Sequence, residues 1–222
     1  MHVSVKGKPS FCHLEVTLDS GDCIVTESDA MASMDSDIHH DVKLHGGLWG
    51  GLMRKLFGGE TLFINYFTNK SAEPKKMVLT QPTPGMINHR QLESGSDGFY
   101  LQPGAFLART RGVKISLHWA GFKSWFAREG LFRLYAHGNG YVWYACYGAI
   151  YAYELDGEYI VDTSHLVSYP KGVSLHIQLA GKGLFSSFFS GEGFVTRLKG
   201  KGTVYLQSRS MSGLASTINQ RL

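Results

Sequence analysis

Charge is scarce in this sequence, and proline and cysteine are scarcer still. Of 222 residues, 18% are Asp, Glu, Lys or Arg, 6 are proline and 3 are cysteine. Low charge beside 43% hydrophobic residues excludes a disordered chain, which stays unfolded for want of apolar side chains. Three cysteines exclude a disulfide-built scaffold. If Asp19-Ser20-Gly21-Asp22 is a hairpin turn, Cys23 faces Leu18. Cys12 then lies about six residues further along the ladder, roughly 20 Å away and too far to bridge. Cys146 sits in an apolar run, so buried free thiols in a reducing compartment are expected.

Long hydrophobic runs are also missing. The longest uncharged stretch, Gly138 to Tyr153, is too short and too tyrosine-rich for a membrane-spanning helix. Met1 to Ser10 has no apolar signal-peptide core, and a soluble, cytoplasmic chain is expected. Gly181-Lys182-Gly183 lacks the spacing and the Lys-Ser/Thr of a phosphate-binding loop. There is no nucleophile elbow, His-Glu-x-x-His or paired Cys-x-x-Cys. Asn69-Lys70-Ser71 is a glycosylation sequon that has no meaning without secretion.

What is abundant is glycine, with 27 residues, and aromatic side chains, at 13%. That mixture favours many short strands joined by tight turns. Cys12, Leu14, Val16 and Leu18 alternate with His13, Glu15, Thr17 and Asp19, the period of a half-buried strand. Val113, Ile115, Leu117 and Trp119 do the same, as do Val173, Leu175, Ile177 and Leu179. Gly138-Asn139-Gly140 and Gly200-Lys201-Gly202 read as turns after further strands.

One stretch recurs. Gly181 to Phe194, Gly121 to Phe132 and, more divergently, Gly50 to Phe63 each carry glycine, an aromatic and aliphatic cluster, then Glu, a small residue and an apolar strand start. The segments beginning at Gly21, Gly98 and Gly157 also match one another. The expected architecture is therefore all-β: a single domain, 1–222, of three internally repeated β-sandwich or barrel units of about 60 to 75 residues. Their spans are about 11–90, 91–150 and 151–209. A short C-terminal helix at 210–222 completes it: Met211, Leu214, Ala215, Ile218 and Leu222 hold helical spacing, with Ser210 or Ser212 as cap. That helix would lie on the sheets or on a neighbouring subunit.

The Gly-x-Phe-Phe-Ser-Gly-Glu-Gly-type loops, Tyr147-Gly148-Ala149-Ile150, the run Leu155 to Thr163 and the run Gly202 to Arg209 resemble the family of altered-inheritance-of-mitochondria protein twenty-four. The resemblance covers nearly the whole chain and is most specific from Gly98 to Arg209. It implies the fold shared with the tryptophan RNA-binding attenuation protein (TRAP-like, of double-stranded β-helix type), with β units assembled into rings or trimers. Mitochondrial members associate with the inner membrane and have no known catalytic activity. The resemblance brings no catalytic residue set, and the attenuation protein's tryptophan- and RNA-reading residues find no matching motif here.

The candidate interaction residues are those of the three aromatic loops: Trp49, Leu52 and Phe57; Phe122, Trp125 and Phe126; Leu184, Phe185, Phe188 and Phe189. The plainer reading makes each loop a cap on its own unit. The functional one makes it a patch for subunit contact or shallow membrane insertion, flanked by Arg54, Lys55, Lys123 and Lys182. Glu60, Glu129 and Glu192 read as carboxylates that hold the glycine-rich turns by accepting backbone N–H bonds. His39, Asp41 and His45 share a strand face, but the two histidines are six residues apart and too distant for one ion, so no metal is expected. No cofactor and no catalytic residue are expected either. Tyr141 to Tyr147 with Tyr151 and Tyr153 could stack bases, though core packing explains them more simply. The basic residues beyond Lys171 read as a solvated face. The expectation is a non-enzymatic scaffold or binding module: a homo-oligomer, with a trimer favoured, that meets a membrane surface or a protein partner. Nucleic acid is not an expected partner, and a ring that binds a small molecule or RNA is the alternative.

Overall fold

A computed structural model describes residues 1–44, 63–102, 104–119, 132–179 and 194–219. The described residues are all-β apart from a single 3-10 turn (Thr163–His165) and one short C-terminal helix. In order the strands are β1 (His2–Lys6), β2 (His13–Leu18), β3 (Cys23–Glu27), β4 (Met31–Met34), β5 (Ile38–Leu44), β6 (Phe63–Asn69), β7 (Lys75–Thr80), β8 (Ile87–Leu92) and β9 (Phe99–Leu101). Then come β10 (Phe106–Thr110), β11 (Val113–Trp119), β12 (Phe132–Gly138), β13 (Gly140–Ala145), β14 (Ile150–Asp162), β15 (Leu166–Pro170), β16 (Ser174–Leu179) and β17 (Phe194–Gln207), followed by helix α1 (Met211–Asn219).

Two units divide the chain. The first takes Met1–Ser96, Gly104–Lys114 and Gly138–Ala145; the second takes Asp97–Pro103, Ile115–His137 and Cys146–Leu222. The first holds a sheet of order β1-β2-β7-β4 and another of order β5-β6-β3-β10-β13-β8. The second holds the order β11-β12-β9-β15-β17-β14, with β16 also on β17. The division runs through the expected middle span, 91–150. Its strands β10 and β13 pair towards β3 and β8, while β9 and β12 pair towards β15 and β11.

The alternating pattern of β2 turns Leu14, Val16 and Leu18 fully inward, beside Met77 and Leu79 of the paired β7. Ile24, Phe67, Leu107 and Trp143 of the six-stranded sheet complete that core. Each such side chain, moved out of water, is worth about 1.5–3 kcal/mol before chain entropy is counted. The second unit closes on Leu155, Leu166, Tyr169, Leu198, Val204 and Leu206. Cys12, Cys23 and Cys146 are buried free thiols, as expected.

Two turns differ from their sequence reading. Asp19 to Asp22 does turn, with the Asp22 N–H donating to the Asp19 carbonyl at 3.0 Å. It does not make a hairpin, because β2 pairs with β7 and β3 with β6. Buried Asn69 pins this corner: its amide donates to the Leu18 carbonyl at 2.9 Å, and its N–H donates to the Asp22 carbonyl at 3.0 Å. Likewise Gly200-Lys201-Gly202 is not a turn. β17 runs straight through it, paired with β14 from Asp162↔Val195 to Ile150↔Gln207. Gly200 has φ +142°, and a Cβ there would sit 2.4 Å from the Gly172 carbonyl oxygen. Gly138 repeats the arrangement, with φ +112° and the Gly112 oxygen at 2.5 Å. Glycine at these points lets one backbone cross close to another: at Gly200 the β14 ladder continues unbroken, and at Gly138 β12 ends and the chain passes into the sheet of β13.

The tail helix forms where the spacing places it. Ser210 caps it, its Oγ accepting from the Gly213 N–H at 3.1 Å. No residue of α1 is buried, and Met211, Leu214 and Ile218 are exposed, so the helix does not bury its apolar stripe against the described residues.

Candidate interaction surfaces

The ten loop residues Trp49, Leu52, Phe57, Phe122, Trp125, Phe126, Leu184, Phe185, Phe188 and Phe189 lie outside the described residues, as do Glu60, Glu129 and Glu192. The strands on either side of each loop are described. β5 pairs with β6 up to Leu44↔Phe63, and β16 pairs with β17 up to Leu179↔Phe194. β11 and β12 are neighbours in their sheet. All three aromatic segments therefore connect strands that neighbour each other in a sheet.

The second unit carries a rack of rings that the sequence reading missed. β9 supplies Tyr100, β12 supplies Tyr135 and His137, β11 supplies Ser116 and His118, and β15 supplies Tyr169. The Tyr100 ring lies 4.9 Å from Tyr135 and 5.1 Å from Tyr169. His118 stacks on Tyr135 at 5.0 Å, and its Nδ1 is 3.2 Å from the Tyr100 hydroxyl. Ser116 Oγ is 2.8 Å from His137 Nε2, and Arg133 stands 6.0 Å over the Tyr169 ring. Tyr169 is buried, Tyr100 and Tyr135 are half-buried and His118 is exposed. The surface so formed offers planar rings and imidazole nitrogens side by side, suited to stacking and hydrogen bonding. Ser116 and His118 alternating in β11, with Tyr135 and His137 in β12, were the available signal. Which strands lie beside them is a tertiary fact.

The corresponding place in the first unit differs. There Arg109 of β10 is buried at 6% exposure among Cys23, Val25 and Tyr66. Its Nη1 donates to the Val113 carbonyl at 2.5 Å. Burial pushes the guanidinium below its ordinary value, and a hydrogen bond to Tyr66 and the nearby Cys23 partly offset this. Lys43 stands 4.8 Å over the Tyr66 ring.

Of the His39, Asp41 and His45 set, His45 lies outside the described residues. His39 pairs with Asp41 at 3.1 Å on an exposed strand, and His40 stacks on Phe67 at 4.6 Å. Among the described residues no three His, Cys, Asp or Glu side chains group as metal ligands. Trp143, Tyr144 and Cys146 are core residues, as their apolar surroundings in the sequence imply. Four basic residues of the last third face solvent in ion pairs: Lys171 with Asp97, Arg197 and Lys199 with Glu158, and Lys201 with Asp156. Such exposed pairs contribute little to stability. Among the described residues no helix is long and apolar enough to cross a membrane.

A family model described as "Mitochondrial biogenesis AIM24" matches residues 3–209. An uncharacterized protein of Streptococcus pyogenes serotype M6, M6_Spy0233, is 26% identical over 231 residues, spanning 100% of this chain and 91% of that protein. The X-ray crystal structure of protein SPYM3_0169 from Streptococcus pyogenes superposes with a TM-score of 0.81 at 25% identity, covering 100% of this chain and 99% of that one.

Proposed function

The chain belongs to the mitochondrial biogenesis AIM24 family, and from that premise we propose that it is a non-enzymatic assembly or binding module. It works as a cytoplasmic homo-oligomer, a trimer in the favoured form, and meets a membrane surface or a protein partner through its aromatic loops. The observation that carries this reading is the recurrence of one device. Three segments rich in Trp, Phe and Leu each join two strands that are neighbours in a sheet. An apolar, aromatic segment flanked by basic residues is what shallow insertion at a membrane surface needs. The TRAP-like, threefold-repeated architecture belongs to the same proposal, since repetition would present the loops together.

The test is Phe188→Ser with Phe189→Ser, followed by sedimentation with liposomes and light scattering. The expected result is loss of liposome binding or of assembly, with the melting temperature held within a few degrees. Unfolding of the variant, with no separate loss of binding, refutes the reading and leaves the loops as core caps.

The Tyr100–His118–Tyr135–Tyr169 rack favours a second reading, a ring-forming protein that binds a small planar molecule or RNA. Stacking platforms of this kind bind single strands, and affinity then falls steeply with salt. Titration with single-stranded oligonucleotides at low and high salt decides it. Absence of salt-dependent binding removes the RNA branch.

A further inference from the structure

The strand ladders contain the same joint twice and the two halves of a third. β4, β10 and β15 each pair with the strand that follows a bend or loop, namely β7, β13 and β17. Each does so with one register shift at the same place: between Met31 and Ser33, between Phe106 and Ala108, and between Leu166 and Ser168. β3, β9 and the second half of β14 form another matching set. They pair with β6, β12 and the first half of β17, and put Ile24 opposite Phe67, Phe99 opposite Ala136 and Tyr159 opposite Leu198.

Members of the two sets then join. β10 joins β3 with Ala108↔Thr26, Arg109↔Val25 and Thr110↔Ile24. β15 joins β9 with Ser168↔Leu101, Tyr169↔Tyr100 and Pro170↔Phe99. The register is the same in both. This leaves β4, which ends its sheet, and the second half of β14, which pairs with β17 alone among the described residues. Among the described residues β1, β5, β8, β11 and β16 are also edges: β5, β11 and β16 are counterparts of one another, while β8 and the first half of β14 correspond to β2, which β1 covers. β4 and the second half of β14 are the edges whose counterparts are joined to each other, β10 to β3 and β15 to β9.

We propose that the β4 edge of one chain pairs with the outer edge of β14 (Glu158–Asp162) of a second copy, antiparallel, with Ser33↔Val161, Met34↔Ile160 and Asp35↔Tyr159. The pairing names the contact behind the homo-oligomer proposed above and rests on that reading. The partner is identified by register: no foreign strand need match a joint this chain has already built twice. The side chains agree. Met31, Tyr159 and Ile160 are exposed at 38%, 37% and 52%. Neither Met31-Ala32-Ser33-Met34 nor Tyr159-Ile160-Val161 contains the lysine or proline that ordinarily blunts a sheet edge. Because the two edges differ, the contact is head-to-tail, and it closes into a ring or continues as an open array.

Light scattering and disulfide trapping test it on the full chain. Met34→Cys and Ile160→Cys proteins, mixed and mildly oxidised, should cross-link between chains at least about tenfold faster than either alone, since pairing raises the effective concentration of the two thiols. The native cysteines are buried and serve as an inert background. Asp35→Cys with Tyr159→Cys repeats the test at exposed positions. Ile160→Lys should lower the assembled mass without changing the melting temperature. A chain that is oligomeric but does not cross-link overturns this contact and leaves the assembly reading standing. A chain that is monomeric at micromolar concentration overturns both. A Met34→Cys/Ile160→Cys double variant that closes within one chain on dilution also overturns the proposal.

Discussion

The β3–β10 and β9–β15 joints share a register and almost no chemistry. At the first, Arg109 faces Val25 across the ladder, buried with Cys23 and Tyr66. At the second, Tyr169 faces Tyr100, and the neighbouring rings are tyrosine and histidine, open to solvent at His118. Backbone hydrogen bonds and corner glycines set how the strands meet. The side chains above them are then free to make a dry junction in one place and a polar aromatic surface in another. A fold can thus keep its joints and change what it presents to a ligand.

Backbone substitution is the severest way to break the comparison. Gly138→Val and Gly200→Val each force a β-branched side chain into a positive φ and against a carbonyl oxygen at 2.5 and 2.4 Å respectively. Each should cost about 3 kcal/mol or more, measured by urea unfolding. If one is tolerated, the two corners are not equivalent.

Next comes Arg109→Ala. It leaves a cavity and strips the Val113 carbonyl of its guanidinium donor, at an expected cost of about 2–4 kcal/mol. On the open joint, Tyr100→Phe removes a hydroxyl 3.2 Å from His118 Nδ1 and should cost less than about 1 kcal/mol. Equal losses in the two variants would contradict the contrast between a buried and a solvated joint.

The smallest effect lies at the two unjoined edges. Lys75 holds the Asp37 carboxyl below its usual range, and Lys199 with Arg197 does the same for Glu158. A carboxylate whose folded value is depressed adds stability above its unfolded value, and that stability is lost as pH falls through the lower folded one. Both groups are exposed, so the loss should be slight, confined to acid below about pH 4, and abolished by salt. Acid titration of the melting temperature for wild type and Lys75→Met checks this: the difference between them should vanish at low pH.

Some of this was legible from residues alone. Alternation marked β2 and the inward start of β11, because a side chain's face in a strand depends on its own parity. The tail's helical spacing marked α1 in the same way. The partners of those strands were not legible. Asp19 to Asp22 has the turn chemistry of a hairpin and the same chemistry serves a corner; Asn69, 50 residues downstream of Asp19, decides between them. Gly200-Lys201-Gly202 resembles a turn because glycine signals permissive backbone, and only the facing Gly172 carbonyl and the β14 ladder make it a bend within one strand.

By itself, then, the sequence determined the all-β class, the buried free thiols, the short C-terminal helix and the family. Each follows from composition, local period or motif. The tertiary structure decided the rest: which strands join, that one register recurs at β3–β10 and β9–β15, and that Tyr100, His118, Tyr135 and Tyr169 share a surface. Strand partnership is made by backbone groups every residue carries alike, so side-chain alternation shows which face of a strand is buried but not which strand lies beside it.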